Sequence, residues 1–437
     1  MRKNLFKKVL ALTLASTMAF SMAGCGSKGG SSEAKNDDGT ITLNVWHQWS
    51  NDTNELKSKY EEAVKAYEKE NSGVKIKTET LDTEAYKTKI NAEFAGDAKG
   101  IDVFYWWGAG TAKKLVDAGK VMALDDYVTD DVKSKILEGS TSAFEFDGKL
   151  YSVPMFSWYM TLFCNKTMFD KAGATLPTTY DELVDAVKKL KKLDGVTPMA
   201  AGAKDGWNAA FVYQALALRE VGATGVNEML SGKKEFGDEG FKKAAQKVSD
   251  LYEMGAFGDN PLEQGNDDAN AAFENGKAAM RLMGSWFANN VYTDDAATIK
   301  PEEVVALKIP TIADGKGEAT DYCGGFVESF WVNNNTKYKE EAAKFCIYIN
   351  EKMGVASYET GSGFSGWTTP ADESNLNPLF IQIKDLLAEG KQGVLAWDTS
   401  LESEPAAVHN EQVQTLFADG ADIDAFIDEH KAAINGK

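Results

Sequence analysis

Residues 41–119 read as strand, helix, strand, helix, strand, helix, and no other feature of the chain constrains its fold as tightly. Ile41-Thr-Leu-Asn-Val-Trp46 alternates like a strand, and residues 53–70 put Leu56, Tyr60, Val64 and Tyr67 on one helical face. Asp52, three residues before Glu55, has the spacing of a capping box that would open this helix. Val74, Ile76 and Thr78 alternate again, a helical stretch runs to Gly96, Ile101-Asp-Val-Phe-Tyr-Trp106 forms a third strand, and a further helix ends at Gly119. Such a succession specifies an α/β fold with a largely parallel sheet covered on both faces. Ligands of open parallel sheets bind outside the carboxyl ends of the strands. Trp46, His47, Gln48 and Trp49 stand at the end of the first strand, and Trp106, Trp107 and Gly108 at the end of the third, so both clusters are expected on one rim.

The chain has 437 residues, enough for two domains at roughly 150 residues or more each. Its 66 acidic and 47 basic residues leave a formal charge of −19, which repels nucleic-acid backbones and anionic lipid surfaces; no nucleic-acid partner is expected. The three histidines, His47, His409 and His430, are scattered, and none of the four cysteines forms a Cys-x-x-Cys pair. Neither a metal site nor a cofactor is expected. Aromatic residues are plentiful, with ten tryptophans among them.

The N-terminus reads as an export signal. Arg2, Lys3, Lys7 and Lys8 form a basic start, residues 9–22 an apolar core too short to span a bilayer comfortably, and Met22-Ala23-Gly24-Cys25 a small-residue processing site. Cys25 followed by the polar run 26–40 resembles the lipobox of bacterial lipoproteins, with Met22 where leucine is usual. The reading is a signal peptide over 1–24, a lipidated Cys25, a flexible linker over 25–40, and a body held at the outer face of the cell membrane by lipid alone. Cys164, Cys323 and Cys346 then remain, and are read as small buried hydrophobes.

A second unit begins near Pro154, and its residues carry a resemblance. Gly148-Lys-Leu-Tyr-Ser-Val-Pro154, Thr161-Leu-Phe-Cys-Asn-Lys166, Phe169-Asp-Lys-Ala-Gly173 and Pro177-Thr-Thr-Tyr-Asp-Glu-Leu183 follow one another. Phe273-Glu-Asn-Gly-Lys-Ala-Ala-Met280 and Gly284-Ser-Trp286 come later, and Val45-Trp46 and Leu124-Asp-Asp-Tyr127 earlier. In this order they resemble family 1 extracellular solute-binding proteins, the sugar-capturing components of ABC importers; Cys164 departs from the pattern, which usually has an aromatic there. The resemblance implies a two-lobed periplasmic-binding-protein-like fold of class II type. Each lobe would be a mainly parallel sheet flanked by helices, with the ligand cleft between them. It divides the body into a first lobe of 40–156 plus 311–352 and a second of 157–310 plus 353–437, with crossings near 156–159, near 309–312 and after about Asn350.

The same resemblance nominates the site. It carries ligand contact to the loop His47, Gln48 and Trp49, to Trp106 or Trp107 on the first lobe, to Trp158 after the first crossing, and to Trp207 and Trp286 on the second lobe; Trp367 and Trp397 are further candidates. Indole rings bury the C–H faces of a sugar at little entropic cost, and polar groups hydrogen-bond its hydroxyls. Glu84, Asp205, Asn208 and Asp398 are candidates for the polar contacts, and Gly325, beside Gly324, for close backbone approach. Trp331 reads as core. The implied function is capture of a sugar, an oligosaccharide by preference, by a monomer whose lobes close on it and which delivers it to ABC transporter permease subunits. The alternatives are a secreted glycoside-active enzyme, or the same fold holding a peptide, polyamine or other solute.

Overall fold

The computed structural model describes residues 36, 39–52, 54–293 and 297–436. The expected signal peptide, Cys25 and most of the expected linker lie outside them. Twelve strands are found among the described residues: β1 (Ile41–His47), β2 (Val74–Thr80), β3 (Val103–Trp107), β4 (Glu145–Phe146), β5 (Lys149–Leu150), β6 (Phe156–Asn165), β7 (Thr197–Ala200), β8 (Ala278–Gly284), β9 (Val304–Leu307), β10 (Asp321–Val332), β11 (Phe364–Ser365) and β12 (Gln392–Val394). β4 and β5 form a small hairpin of their own. The others form one sheet whose main path runs β2-β1-β3-β10-β6-β8-β7, with β9 and β11 on β6 and β12 on β10.

The first part of this sheet follows the alternation in the sequence. β1 pairs in parallel with β2, Ile41 opposite Val74, and with β3, Val45 opposite Val103. Helix Glu55–Glu70 buries Leu56, Tyr60 and Tyr67 in the core beside it. That helix is capped by Asn54, whose side chain accepts from the Leu56 N–H, while Asp52 forms an ion pair with Lys57. The expected capping box from Asp52 is therefore not formed: the helix starts two residues later, where Asn54 meets the orphan N–H groups.

The second part departs from a mainly parallel sheet. β6 runs antiparallel to both β8 and β9, and the parallel pairings are β7 with β8 and the short β12 with β10. The reason is that β6 enters from the first lobe instead of arising from a local βαβ unit. At ~3.3 Å per residue, β6 with ten residues and β10 with twelve are long enough to serve both lobes.

Two apolar cores flank the crossing strands. One contains the buried residues from Ile41 to Phe156, then Phe330 to Met353, and Trp367. The other takes Trp158 to Ile309, then Cys323, and Leu376 to Ile427. Core membership thus changes between Phe156 and Trp158, and again between Cys323 and Phe330. Ile312 leans on the second core, so the return to the first lobe comes within β10 and not near residue 311. Arg219 enforces this, its guanidinium donating to the carbonyls of Ile309, Glu318 and Asp321 and so tying that segment to the second lobe. Trp367, fifteen residues beyond the expected last boundary of 352, still packs with the first core.

Midway along β10 the backbone kinks. Gly324 and Gly325 have φ of +137° and +150°, and a bulge follows between Phe326 and Glu328. A Cβ on Gly324 would lie 2.0 Å from the Trp158 carbonyl oxygen, so only glycine lets β10 pass β6 here. Cys164, Cys323 and Cys346 are free and buried.

Candidate functional site

The carboxyl ends of β1 and β3 open onto a cleft of about 1160 Å³ between the lobes. Of the proposed side chains, Gln48, Trp49, Glu84, Trp106, Trp107, Trp158, Asp205, Trp207, Trp286 and Asp398 line it. Six tryptophans thus meet around one space, three from each lobe.

On the first wall the rings form a connected array: Trp49 and Trp107 pack edge-on against Tyr105 at 5.5 and 5.2 Å, and Trp106 against Trp107 at 5.4 Å. On the second, Trp158 stacks on Phe211 at 5.4 Å with an interplanar angle of 26°, and meets Trp286 edge-on at 5.1 Å. Trp207 stands against Phe211 at 5.3 Å. Mutual packing of this kind holds each indole in place before any ligand arrives. Trp107, Trp207 and Trp286 keep the most exposed faces, whereas Trp49, Trp106 and Trp158 are buried.

Five of the sequence candidates stand elsewhere, Asn208 among them. His47 is buried behind the cleft, its ring 4.2 Å from that of Tyr60, and its Nδ1 accepts the Trp49 backbone N–H. Burial, and secondarily the Lys57 charge, lower its pKa to about 3, so it is a neutral prop for the Trp49 loop. Trp367 lies in the first core and donates from its indole to the Pro154 carbonyl at 2.7 Å. Gly325 does not line the cleft: a Cβ there would point at the Leu395 side chain, 2.5 Å away. Its backbone freedom serves the β10 kink. Trp397 is buried in the second core, stacked on His409. Trp46, at the same strand end as Trp49, lies instead under the Lys89 ammonium at 4.4 Å.

The polar groups have defined duties. Asp205 accepts the Asn266 N–H at 2.6 Å, joining two loops of the second wall. Behind them, the buried Arg281 donates to Asn208, Asn266 and Asn270 and to the carbonyls of Ala200 and Ala201. Asn208 is thereby committed to the scaffold. Burial raises the pKa of Asp398, partly offset by Lys87 and by bonds from Thr399.

Three residues of the site escaped the reading of the sequence. Glu328, in β10 at the cleft floor, accepts from the Tyr105 hydroxyl, and burial raises its pKa to about 7 against the pull of Tyr105, Trp107 and Lys87. Arg281 is the second. A charge inside the apolar runs 326–332 and 278–284 was the available signal, because an ionisable group in a buried strand requires dedicated partners. Lys87 is the third, and its spacing from Glu84 shows an ordinary helical ion pair with no indication of the opposite wall.

Residues 50–355 match the family model described as bacterial extracellular solute-binding protein. The chain belongs to that family. Among its relatives, the multiple sugar-binding protein of Streptococcus mutans is 24% identical over 368 residues, covering 81% of this chain and 80% of the relative. A putative binding protein of Brucella abortus is 25% identical over 307 residues, 70% of this chain and 71% of its own length. A solved structure from a study of xylan utilization by the thermophilic bacterium Caldanaerobius polysaccharolyticus superposes with a TM-score of 0.86 at 36% identity, covering 90% of this chain and all of that one. A chitin oligosaccharide binding protein shares the fold, with a TM-score of 0.82 at 21% identity over 91% of this chain and 98% of its own. The family and these neighbours are binding proteins, and the two-lobed α/β fold is theirs.

Proposed function

We propose that this family member captures a neutral oligosaccharide in the cleft and hands it to the permease subunits of an ABC transporter. The observation that carries the reading is the convergence of six tryptophans from both walls on one space. Flat, rigid aromatic surface on two sides suits the C–H faces of sugar rings, while Gln48, Glu84 and Asp398 on the rim and floor suit hydroxyls. The names of the relatives, sugar-binding in Streptococcus mutans and chitin oligosaccharide binding among the solved structures, agree with it. A ligand touching both walls favours the closed arrangement and shifts the population toward it.

The same proposal includes export, lipid attachment at Cys25 and action as a monomer. Mass analysis of the membrane fraction should find the mature chain beginning at a diacylated Cys25, and a C25A variant should be released into the medium. For the ligand, xylo-, chito- and manno-oligosaccharides are screened by thermal shift and calorimetry, with reducing ends assayed in parallel. Saturable stabilisation by one series without new reducing ends is expected. Stabilisation by none of them would sink the sugar reading, and turnover would replace capture with hydrolysis.

A further inference from the structure

Lys87 lies in helix Thr83–Ala95 on the first wall, but its ammonium reaches into the space between the walls. It is 3.1 Å from the Glu84 carboxylate, 5.1 Å from the ring centroid of Trp107 on its own wall, and 5.8 Å from that of Trp207 on the opposite one. Its charge also acts on the carboxyls of Glu328 at the floor and Asp398 at the side. One ammonium thus bridges the two lobes through a pair of indoles, in range of three carboxyl groups.

An indole face attracts a cation by its quadrupole and a sugar by its apolar area, and the two occupants need the same surface. From this we infer that Lys87 is an intramolecular competitor for the ligand: its ammonium occupies the gap between Trp107 and Trp207, and a sugar ring must displace it to stack there. The inference rests on the sugar-binding reading and says which residue sets the affinity. Displacement does not strand the charge, since Glu84 is on the same helix and Asp398 is close enough to affect it, so the ammonium can swing to the carboxylates while the ring takes the indoles. A neutral sugar is the class best served: a cationic one would compete with Lys87 for the carboxylates, and an anionic one would face all three. The contact also lowers apparent affinity, because only the fraction of molecules with Lys87 withdrawn is competent to bind.

The test is a calorimetric titration of wild type, K87A and K87R with the neutral oligosaccharide that stabilises wild type most. Removing the competitor should tighten binding about two- to tenfold, the worth of one partly solvated cation–π contact. Arginine, whose planar guanidinium stacks better on indole, should weaken it. The order alanine tighter than lysine tighter than arginine supports the inference. Weaker or unchanged binding by K87A overturns it, because Lys87 would then be a donor to the ligand or a bystander. Should K87A not fold, K87M keeps the stem without the charge and is held to the same outcome. Failure of wild type to bind any oligosaccharide would instead remove the sugar reading, and this inference with it.

Discussion

Trp207 and Trp286 lie partly exposed on one wall, and Glu328 is a buried acid on the floor between both. Each makes a different demand. Truncating either tryptophan to alanine should weaken oligosaccharide binding by about 1–3 kcal/mol, by analogy with aromatic stacking on other planar rings; calorimetry reads this directly, and unchanged affinity in both variants would take them out of the site. Glu328 should show itself in stability. Its folded pKa, near 7, lies above the ordinary carboxyl value, so the folded state holds its proton after the unfolded chain has lost it. Stability is therefore lost as pH rises from about 4.5 through 7, and the cost then stays constant, at most about 3 kcal/mol. An E328Q variant, whose amide can still accept from Tyr105, should melt above wild type at pH 8 and converge with it near pH 4.5. A gap that does not change with pH would contradict the assignment.

At the scale of elements, helices Ser403–Thr415 and Ile423–Ile434 meet helix Gly206–Val221 through a chain of buried polar groups. His430 Nδ1 lies 2.9 Å from the Phe426 carbonyl and can only donate to it; His430 Nε2 must then accept from His409 Nδ1 at 2.9 Å, leaving His409 Nε2 to accept from the Gln214 amide at 3.1 Å. Both rings are neutral in this pattern, and protonating either puts two N–H groups in conflict. Burial drops the His430 pKa to about 4 and that of His409 below its ordinary value. Because folded values lie below the unfolded 6.5, this contribution is complete above about pH 6.5 and is lost progressively as pH falls toward 4. The melting temperature should decline over that window. The decline should be shallower in H409M/H430L, and an equal slope would show that other groups dominate. Since helix Gly206–Val221 carries Trp207, acid should loosen the second wall before the first.

The elements were legible where the pattern was regular and local. β1, β2 and β3 follow from alternation between turns, and helix Glu55–Glu70 from the single apolar face of Leu56, Tyr60, Val64 and Tyr67. β10 was harder. Gly324-Gly325, read from the sequence for close backbone approach to a ligand, instead lie within a strand that begins at Asp321 and runs through both glycines, because a neighbouring strand pairs with them and their positive φ accommodates its carbonyl. A long-range partner, invisible along the chain, makes that segment a strand. The placement of the crossing inside β10 has the same cause, since Arg219 reaches it across about a hundred residues of sequence.

For the molecule as a whole, the proposal turns on two walls that a ligand holds together. A contact outside the indoles already joins them, the Asn289 amide donating to Glu55 at 3.2 Å. A sugar at a hundred times its Kd should add about 2.7 kcal/mol to stability, read as a rise of a few degrees in melting temperature. X-ray scattering should show a smaller radius of gyration on saturation; binding without compaction would argue that the walls do not move.

What the sequence alone determined is whatever periodicity, composition and short motifs encode: the α/β class, the family, and the grouping of tryptophans at strand ends. Those are local signals, and strand direction converts them into a shared rim. Tertiary structure decided which of them face the cleft. Trp49 and Trp106 turn toward it while Trp46 turns away; His47 and Trp367 are drawn into the first core, and Trp397 into the second. It also recruited Glu328, Arg281 and Lys87, whose importance rests on partners brought from distant segments. An indole at a strand end can be read from the chain, but whether its face is free, covered by a core or occupied by an ammonium depends on atoms that only folding brings together.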